Sequence, residues 1–512
     1  MRNEWERRQR PPRVGLNVLA KAGVASLVIV LCSGGAVAAA ILLQVHKIVH
    51  PPALPGAPKP EPALKVAVEP VKPGGPRTLL VLGSDRRSKR SADAKVGFEA
   101  RSDTILLVRL DPMRKRVGVL SIPRDLAVTI PGHGAGMKIN EAYTAGGPKL
   151  TMETVKTMFQ TATGRNFPIN GVIDVNFNGF QRAVNYVHGV YVDVDRRYYI
   201  PPNSGTSAID LEPGYQRLVG SAALAYVRYR HTDSDLFRAA RQQDFLRQAV
   251  GQPAVQKLKS LDQASRLLQV LQSYFRFDKD FLSTKNVFGM LKTAVSLSNA
   301  HAPVNQIAFT GVTDSQDPET DTRLFISQAS LQKLYTQFMT GEGTRNPKKV
   351  VKTTRRKAVK ANRVTGLESA RNLGENLAVI ADARLHFPFY FPAYRSVGSR
   401  YPNDTSQPVI YKLADQSGKR HEAYRLVIAS GAPGEYYGVQ GTTWTSPPYL
   451  DSPDRTVKQN GRRLLLFYDG SHLRAVGWKT TGAAYWISNT ITHSIANTRL
   501  IAIAASLTHL KQ

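Results

Sequence analysis

The sequence predicts an exported α/β protein carried on a membrane anchor, with a small α+β domain at its C-terminal end. Three observations carry this. An uncharged run from Ala22 to Val45 follows a basic N-terminus. Short apolar strands then alternate with helical spacings from Thr78 to about Thr340. A basic break at 345–363 separates that stretch from a tail of different texture.

The 512 residues exceed one average domain and suggest roughly three units at ~150 residues each. A hydrophobic share of 42% with 8% aromatics supplies real cores, which excludes wholesale disorder. Lys and Arg number 69 against 38 Asp and Glu, a net charge of +31. Such an excess points to a polyanionic neighbour: nucleic acid, an anionic membrane or an acidic polymer. The single cysteine, Cys32, excludes an intramolecular disulfide framework, a Cys-based zinc site and an iron–sulfur cluster.

Residues 22–45 would span roughly 36 Å as a helix, enough for a hydrocarbon core of ~30 Å. Arg2, Arg7, Arg8, Arg10, Arg13 and Lys21 precede them, against only Glu4 and Glu6. The positive-inside rule therefore keeps residues 1–21 cytoplasmic and exports everything after Val45. Ala36-Val37-Ala38 admits a cleaved signal peptide as the rival, but the apolar run is longer than a usual signal core. Cys32 follows Ile29-Val30-Leu31, which lacks the small residues of a lipoprotein cleavage site. Export makes nucleic acid a poor partner and favours membrane lipids or an acidic envelope polymer. The nine prolines between Pro51 and Pro76 make 46–77 an extended spacer.

Leu79 to Leu82 reads as a buried strand ending at Gly83-Ser84-Asp85. Thr104–Val108 and Val117–Leu120 read as a strand pair about the turn Asp111-Pro112. Leu150–Ala162 has helical spacing. Strands at Val172–Val175 and Val190–Val194 flank a helix near Phe180–Tyr186. Ser221–Tyr226 and Leu236–Val250 are further helices, and this domain runs over 78–340. The linker, 341–374, holds nine basic residues and no acid between Arg345 and Arg363. It is a solvated linker or a patch for anionic lipid or wall polymer. In the tail, 375–512, Leu464–Tyr468 and Leu473–Trp478 form a hairpin across Asp469-Gly470. Ala483–Ile487 adds a strand and Asn497–Leu510 a closing helix. Phe387 to Phe391, Tyr436-Tyr437 and Trp444 either build this domain's core or stack on sugars. The tail is expected to fold alone.

Charged residues gather at the strand ends of the α/β domain. Asp85, Arg86 and Arg87 follow one strand, and Arg101-Ser102-Asp103-Thr104 precede the next. Ser121-Ile122-Pro123-Arg124-Asp125 closes a third, and Arg228-x-Arg230 is followed by Arg238, Arg241, Gln242 and Gln243. Ligands of open α/β sheets bind where such loops converge. Several arginines suit a diphosphate, and two carboxylates among them suit Mg²⁺. Taken singly, each pair also fits a surface salt bridge such as Arg101–Asp103, or an exposed helix face. His231 beside Arg230 has no second histidine to support it and is read as structural.

These clusters, with Lys138-Ile139-Asn140-Glu141-Ala142-Tyr143 and Ala223 to Arg230 in the same order, resemble the LytR–CpsA–Psr family over about 78–250 and toward 340. The resemblance implies an α/β/α sandwich with a mixed central sheet and an apolar cavity for a lipid tail. It implies an enzyme that moves a glycopolymer from a polyprenyl diphosphate carrier onto peptidoglycan through a phosphodiester. Carried over by position, Asp85 and Asp103 would hold Mg²⁺. Arg124, Lys138, Arg228, Arg230, Arg238 and Gln242 would hold the diphosphate, supported by Arg87, Arg101 and Arg241. Arg124 and Arg228 would also serve the chemistry, with Asp103 and Asp235 both candidates for the general base. Arg86 adds a charge where many members have a small residue. The tail lacks the Gly-rich C-terminal domain of some relatives, so the resemblance stops before it. A non-catalytic envelope protein that binds prenyl-diphosphate-linked or wall polymers is the alternative.

Overall fold

The computed structural model describes residues 61–72, 74–86, 100–202, 208–229, 235–250, 252, 272–281, 304–317, 320–341, 354–355, 361–403 and 406–510, with isolated positions between 283 and 297. The expected anchor at 22–45, the first part of the proline spacer and most of the basic linker lie outside them. No helix among the described residues is long and apolar enough to cross a membrane.

The α/β domain is built on a six-stranded mixed sheet. Its strands are β1 (Arg77–Ser84), β2 (Ser102–Asp111), β3 (Arg116–Ile122), β6 (Gly171–Asn176), β9 (Phe275–Phe277) and β10 (Val304–Ile307). Their spatial order is β9-β6-β1-β2-β3-β10. The pair expected about Asp111-Pro112 forms with Val108 opposite Val119. β1 runs parallel to β6 and antiparallel to β2, and β10 runs parallel to β3. Hence the C-terminal ends of β1, β3, β6 and β10 and the N-terminal end of β2 share one edge.

Leu80, Leu82, Ile105, Leu107, Leu120 and Ile122 alternate onto one face. There they meet α1 (Glu141–Thr163) and α5 (Gln328–Thr340) through Val155, Phe159, Leu334 and Phe338. Thr104 and Ser121, one residue out of that phase, lie on the opposite face, against α4 (Asp235–Val250). Helices therefore cover both faces, as the sandwich expectation requires. α1 begins well before Leu150 because Gly147, at φ 63, and Pro148 kink it without ending it. Between β6 and α4 come α2 (Phe177–Tyr186), β7 (Val190–Val194), β8 (Gly214–Leu218) and α3 (Gly220–Arg228). The hairpin of β4 (Ala127–Ile130) and β5 (Gly134–Lys138) carries Lys138.

The tail is mostly strands, a correction to the α+β expectation. Seven strands form one antiparallel run: β11 (Val409–Ala414), β12 (Arg420–Ala429), β13 (Tyr436–Thr442), β14 (Arg455–Gln459), β15 (Arg462–Asp469), β16 (His472–Lys479) and β17 (Ala484–Ser488). Their order is β14-β15-β16-β17-β13-β12-β11, and Thr354–Arg355 pairs in parallel with β14 to make the eighth. The expected hairpin is β15–β16, while the closing helix α6 (Asn497–Ser506) stops before the short strand Leu507–Thr508. Phe389, Tyr390, Phe391, Tyr437 and Trp444 are buried, so these rings build core.

The tail also shares a core with the α/β domain. Tyr191 of β7 and Tyr215 of β8 pack among Leu413, Trp444, Tyr449, Phe467 and Trp486. Asp193 on β7 receives Arg425 Nη1 at 3.0 Å and Trp486 Nε1 at 3.1 Å, all three buried. A buried carboxylate satisfied across the two halves in this way fixes their register.

Candidate active site at one edge of the central sheet

β1 and β2 approach so closely at this edge that a Cβ on Gly83 would sit 2.8 Å from Thr104 Cβ. A bulge between Gly83 and Ser84 then turns the chain, and bulges commonly re-aim side chains beside functional sites. Asp85 follows at once, and its Oδ1 accepts the backbone N–H of Arg101 at 2.7 Å. Burial pushes the Asp85 carboxyl above its ordinary value, and the nearby charge of Asp103 adds to this. Arg228, at the end of α3, opposes the shift. Its guanidinium lies over the Phe177 ring at 3.9 Å. Surrounding protein draws that guanidinium below its usual range, with Asp103 and Asp85 pulling the other way.

A chain of charges runs from there along the sheet edge. Asp103 pairs with Arg124, Arg124 Nε lies 3.6 Å from Asp125, and Asp125 lies 3.4 Å from Lys138 Nζ. Lys138 also donates to Thr322 Oγ1 at 2.7 Å. From α4, Gln242 Nε2 donates to Thr104 Oγ1 at 2.8 Å, which brings that helix to the start of β2. The fold thus gathers Asp85, Asp103, Arg124, Lys138, Arg228 and Gln242 at one edge, from six separate stretches of sequence.

Other expected residues are placed differently. Arg101 is exposed and touches Asp85 only through its backbone in the bonds described. Arg238 is buried on α4. Arg241 is buried too, donating to the Tyr229 carbonyl and lying 4.9 Å from the Tyr198 ring centre, so it braces the aromatic layer behind the site. Arg87, Arg230, His231 and the side chain of Asp235 fall outside the described residues.

Sequence reasoning missed the residue beneath the edge. Asp174 on β6 is fully buried and accepts Ser84 Oγ at 3.0 Å, Tyr143 OH at 3.1 Å and Arg276 Nε at 2.8 Å. Arg86 Nε lies 3.7 Å away. Burial, with Asp174 alongside, pushes the Tyr143 hydroxyl up to about 12, so it remains a donor. The signal for Asp174 was one charge inside the apolar strand Val172–Val175. Arg276, between Phe275 and Phe277, gave none.

Two carboxylates near one another, ringed by cations, leave most of a coordination sphere to phosphate oxygens and water. That donor set fits Mg²⁺ and does not fit a metal held wholly by protein. Among the described residues no group of three or more His, Cys, Asp or Glu side chains converges to hold a metal.

Residues 56–340 match the model of the LytR_cpsA_psr family, more than half the chain, and the chain belongs to that family. Over 236 residues it is 34% identical to the polyisoprenyl-teichoic acid–peptidoglycan teichoic acid transferase TagT of Bacillus subtilis (strain 168), covering 46% of this chain and 67% of that protein. Over 220 residues it is 35% identical to an uncharacterized protein of Staphylococcus aureus (strain NCTC 8325 / PS 47), covering 42% and 51%. The match therefore spans from about half to two thirds of these relatives. A solved structure described as a LytR-CPS2A-psr family protein, YwtF (TagT), with bound octaprenyl pyrophosphate lipid is 26% identical, covering 54% of this chain and 98% of that one at a TM-score of 0.36.

Proposed function

We propose that the protein is a membrane-anchored phosphotransferase of envelope assembly, which moves a glycopolymer from a polyprenyl diphosphate carrier onto peptidoglycan. The observation that carries this reading is the convergence of Asp85, Asp103, Arg124 and Arg228 at one sheet edge within the family-matched region. The names of relatives such as TagT support the substrate class. The uncharged run at 22–45 supports an anchor, with both folded domains outside the membrane.

An acceptor sugar hydroxyl attacks the phosphorus nearer the glycan. A new P–O bond forms, the bond to the bridging oxygen breaks, and prenyl phosphate leaves with that oxygen. The hydroxyl proton passes to a carboxylate, Asp103 or Asp235. Negative charge grows on the bridging and terminal oxygens, where Arg124, Arg228 and Lys138 stabilise it as fixed cations. Asp85 and Asp103 would hold Mg²⁺, which would neutralise part of the diphosphate charge. Asp103, paired with Arg124, ties that carboxylate pair to the phosphate-binding cations. Gln242, bonded to Thr104 at the start of β2, completes the seat from α4.

Release of prenyl phosphate from a prenyl-diphosphate-linked glycan tests this reading. Arg228→Ala is expected to lose roughly 10²–10³ in turnover, as removal of one such electrostatic contact typically does. Lipid binding persists in that variant, because the tail's affinity is hydrophobic. Near-wild-type turnover in Arg228→Ala sinks the assignment. A wild type that binds the lipid but never releases prenyl phosphate favours the non-catalytic binder.

A further inference from the structure

The turn between β12 and β13 brings the tail against both ends of the connection between α3 and α4. Arg228 closes α3, and the buried Tyr229 follows it at φ −52 and ψ 133, where the chain leaves the helix. The Tyr229 hydroxyl donates to the Tyr199 carbonyl at 3.3 Å, and its own carbonyl accepts Arg241 Nη2 from α4. Its ring meets the Tyr198 ring edge to face at 4.8 Å between centres. The Arg196 guanidinium lies 5.4 Å from the Tyr229 ring centre. Arg196, two residues past β7, is also buried and lies 4.9 Å from the Tyr198 ring centre. A third ring comes to it from the tail: Tyr436, the first residue of β13, at 5.1 Å.

The same turn touches the far end of that connection. Gly434, at φ 77, approaches Phe237 on α4 so closely that a Cβ there would fall 2.8 Å from the ring. The turn is itself tied down within the tail. Buried Glu435 accepts the Ser494 hydroxyl at 2.9 Å and the Thr492 hydroxyl, and its carbonyl accepts the Ser430 backbone N–H at 2.9 Å. Between Tyr229 and Phe237 the sequence carries Arg230 and Asp235. Both ends of the stretch that holds these two candidates, with Arg228 adjoining, therefore bear on one anchored point of the tail. A guanidinium held by ring faces is directional, and burial strengthens the attraction, so Arg196 transmits position from Tyr436 to Tyr229.

We propose that Tyr436 is a positioning residue for the transferase site: through Arg196 and Tyr229, the tail fixes where Arg228 and the stretch after it stand. The proposal rests on the transferase reading and gives the tail a part in it. Fixed cations stabilise a phosphoryl-transfer transition state only where they already stand at the growing charge. A misplacement of about 1 Å can cost roughly 10²-fold in rate. The loss on removing the Tyr436 ring therefore falls on kcat and spares lipid affinity, which the prenyl tail supplies.

The test compares Tyr436→Phe with Tyr436→Leu in the full chain in detergent micelles. Both variants keep an apolar side chain there, and only Phe keeps the ring face. The substrate is a geranylgeranyl-diphosphate-linked disaccharide, supplied with peptidoglycan fragments, and the readout is release of prenyl phosphate. Tyr436→Leu is expected to lose about tenfold in kcat, with KM for the lipid within about twofold of wild type. Tyr436→Phe is expected to retain the wild-type kcat. Hydrogen exchange across residues 226–238, read by mass spectrometry, is independent of turnover: it quickens in the Leu variant and not in the Phe variant. Gly434→Ala, which presses on Phe237 instead, is expected to give the same loss of kcat, so the proposal stays decidable if Tyr436→Leu does not fold. Equal kcat in the Leu and Phe variants, a change confined to KM, or unchanged exchange in Tyr436→Leu overturns the proposal. A wild type that releases no prenyl phosphate sinks the transferase reading; quickened exchange in Tyr436→Leu alone then leaves the clamp standing without its catalytic use.

Discussion

Asp174 sits at the floor of the candidate site without being one of its charged rim residues. Its carboxylate ties together Ser84 of β1, Tyr143 of α1 and Arg276 of β9, the elements that meet where Asp85 emerges. Asp174→Ala removes the acceptor and strands the Arg276 guanidinium beside a buried phenol. Breaking a buried pair from one side typically costs ~3–5 kcal/mol. Denaturant unfolding is expected to show a loss of that size, and a loss under about 1 kcal/mol would mean the network is not structural. Asp469 makes the second residue-scale prediction. Its folded value of about 6 lies above the ~3.9 of an unfolded aspartate. The folded state therefore holds this proton more tightly, and the associated stability, present below about pH 4, is lost as pH rises through 6. Asp469→Asn lacks this titration. Its unfolding free energy relative to wild type is expected to rise by ~2 kcal/mol between pH 4 and pH 7, and a pH-independent difference contradicts the placement. Asp85, Asp103 and Arg124 were legible because they bracket apolar strands, and Arg228 through the pair Arg228-x-Arg230. Asp469 was legible only as a hairpin turn, since its burial comes from a distant segment.

At the scale of elements, legibility followed how a strand is buried. β1, β2 and β3 are apolar runs bounded by turns, and the sequence displays them plainly. β12 and β13 escaped because they are buried on both faces, which erases alternation. β13 also contains Gly438, Gln440 and Gly441, residues that ordinarily mark loops. Gln440 earns its place by accepting the Tyr215 backbone N–H and the Tyr411 hydroxyl, each at 3.1 Å. Gly441 is required by close approach, since a Cβ there would fall 2.2 Å from the buried Tyr424 ring. Gly441→Ala is accordingly expected to cost ~1–3 kcal/mol through overpacking. Thermal melting checks this, and an unchanged midpoint would mean the Tyr424 ring yields freely. With these strands unread, the closing helix and the one clear hairpin were enough to suggest an α+β domain where a broad sheet stands.

For the whole molecule, the two halves are less separable than the basic break at 345–363 suggested. Asp193 takes both its Arg425 and Trp486 bonds from the tail, and Tyr191 and Tyr215 are buried by it. Those contacts join residues more than two hundred positions apart, a relation no local pattern carries. The family likeness, by contrast, was readable because its motifs lie in order along the chain, and the fold needs them in order to bring one sheet edge together. The proposed work of this edge is transfer of a phosphate-linked glycan to a sugar hydroxyl. The direct measurement is mass spectrometry of the acceptor after incubation of the full chain with a prenyl-diphosphate-linked glycan and peptidoglycan fragments. An acceptor carrying the glycan through a single phosphodiester is expected, formed in step with free prenyl phosphate and absent with Arg228→Ala. An unmodified acceptor alongside a wild type that still binds the lipid, or a glycan joined without phosphorus, would contradict it.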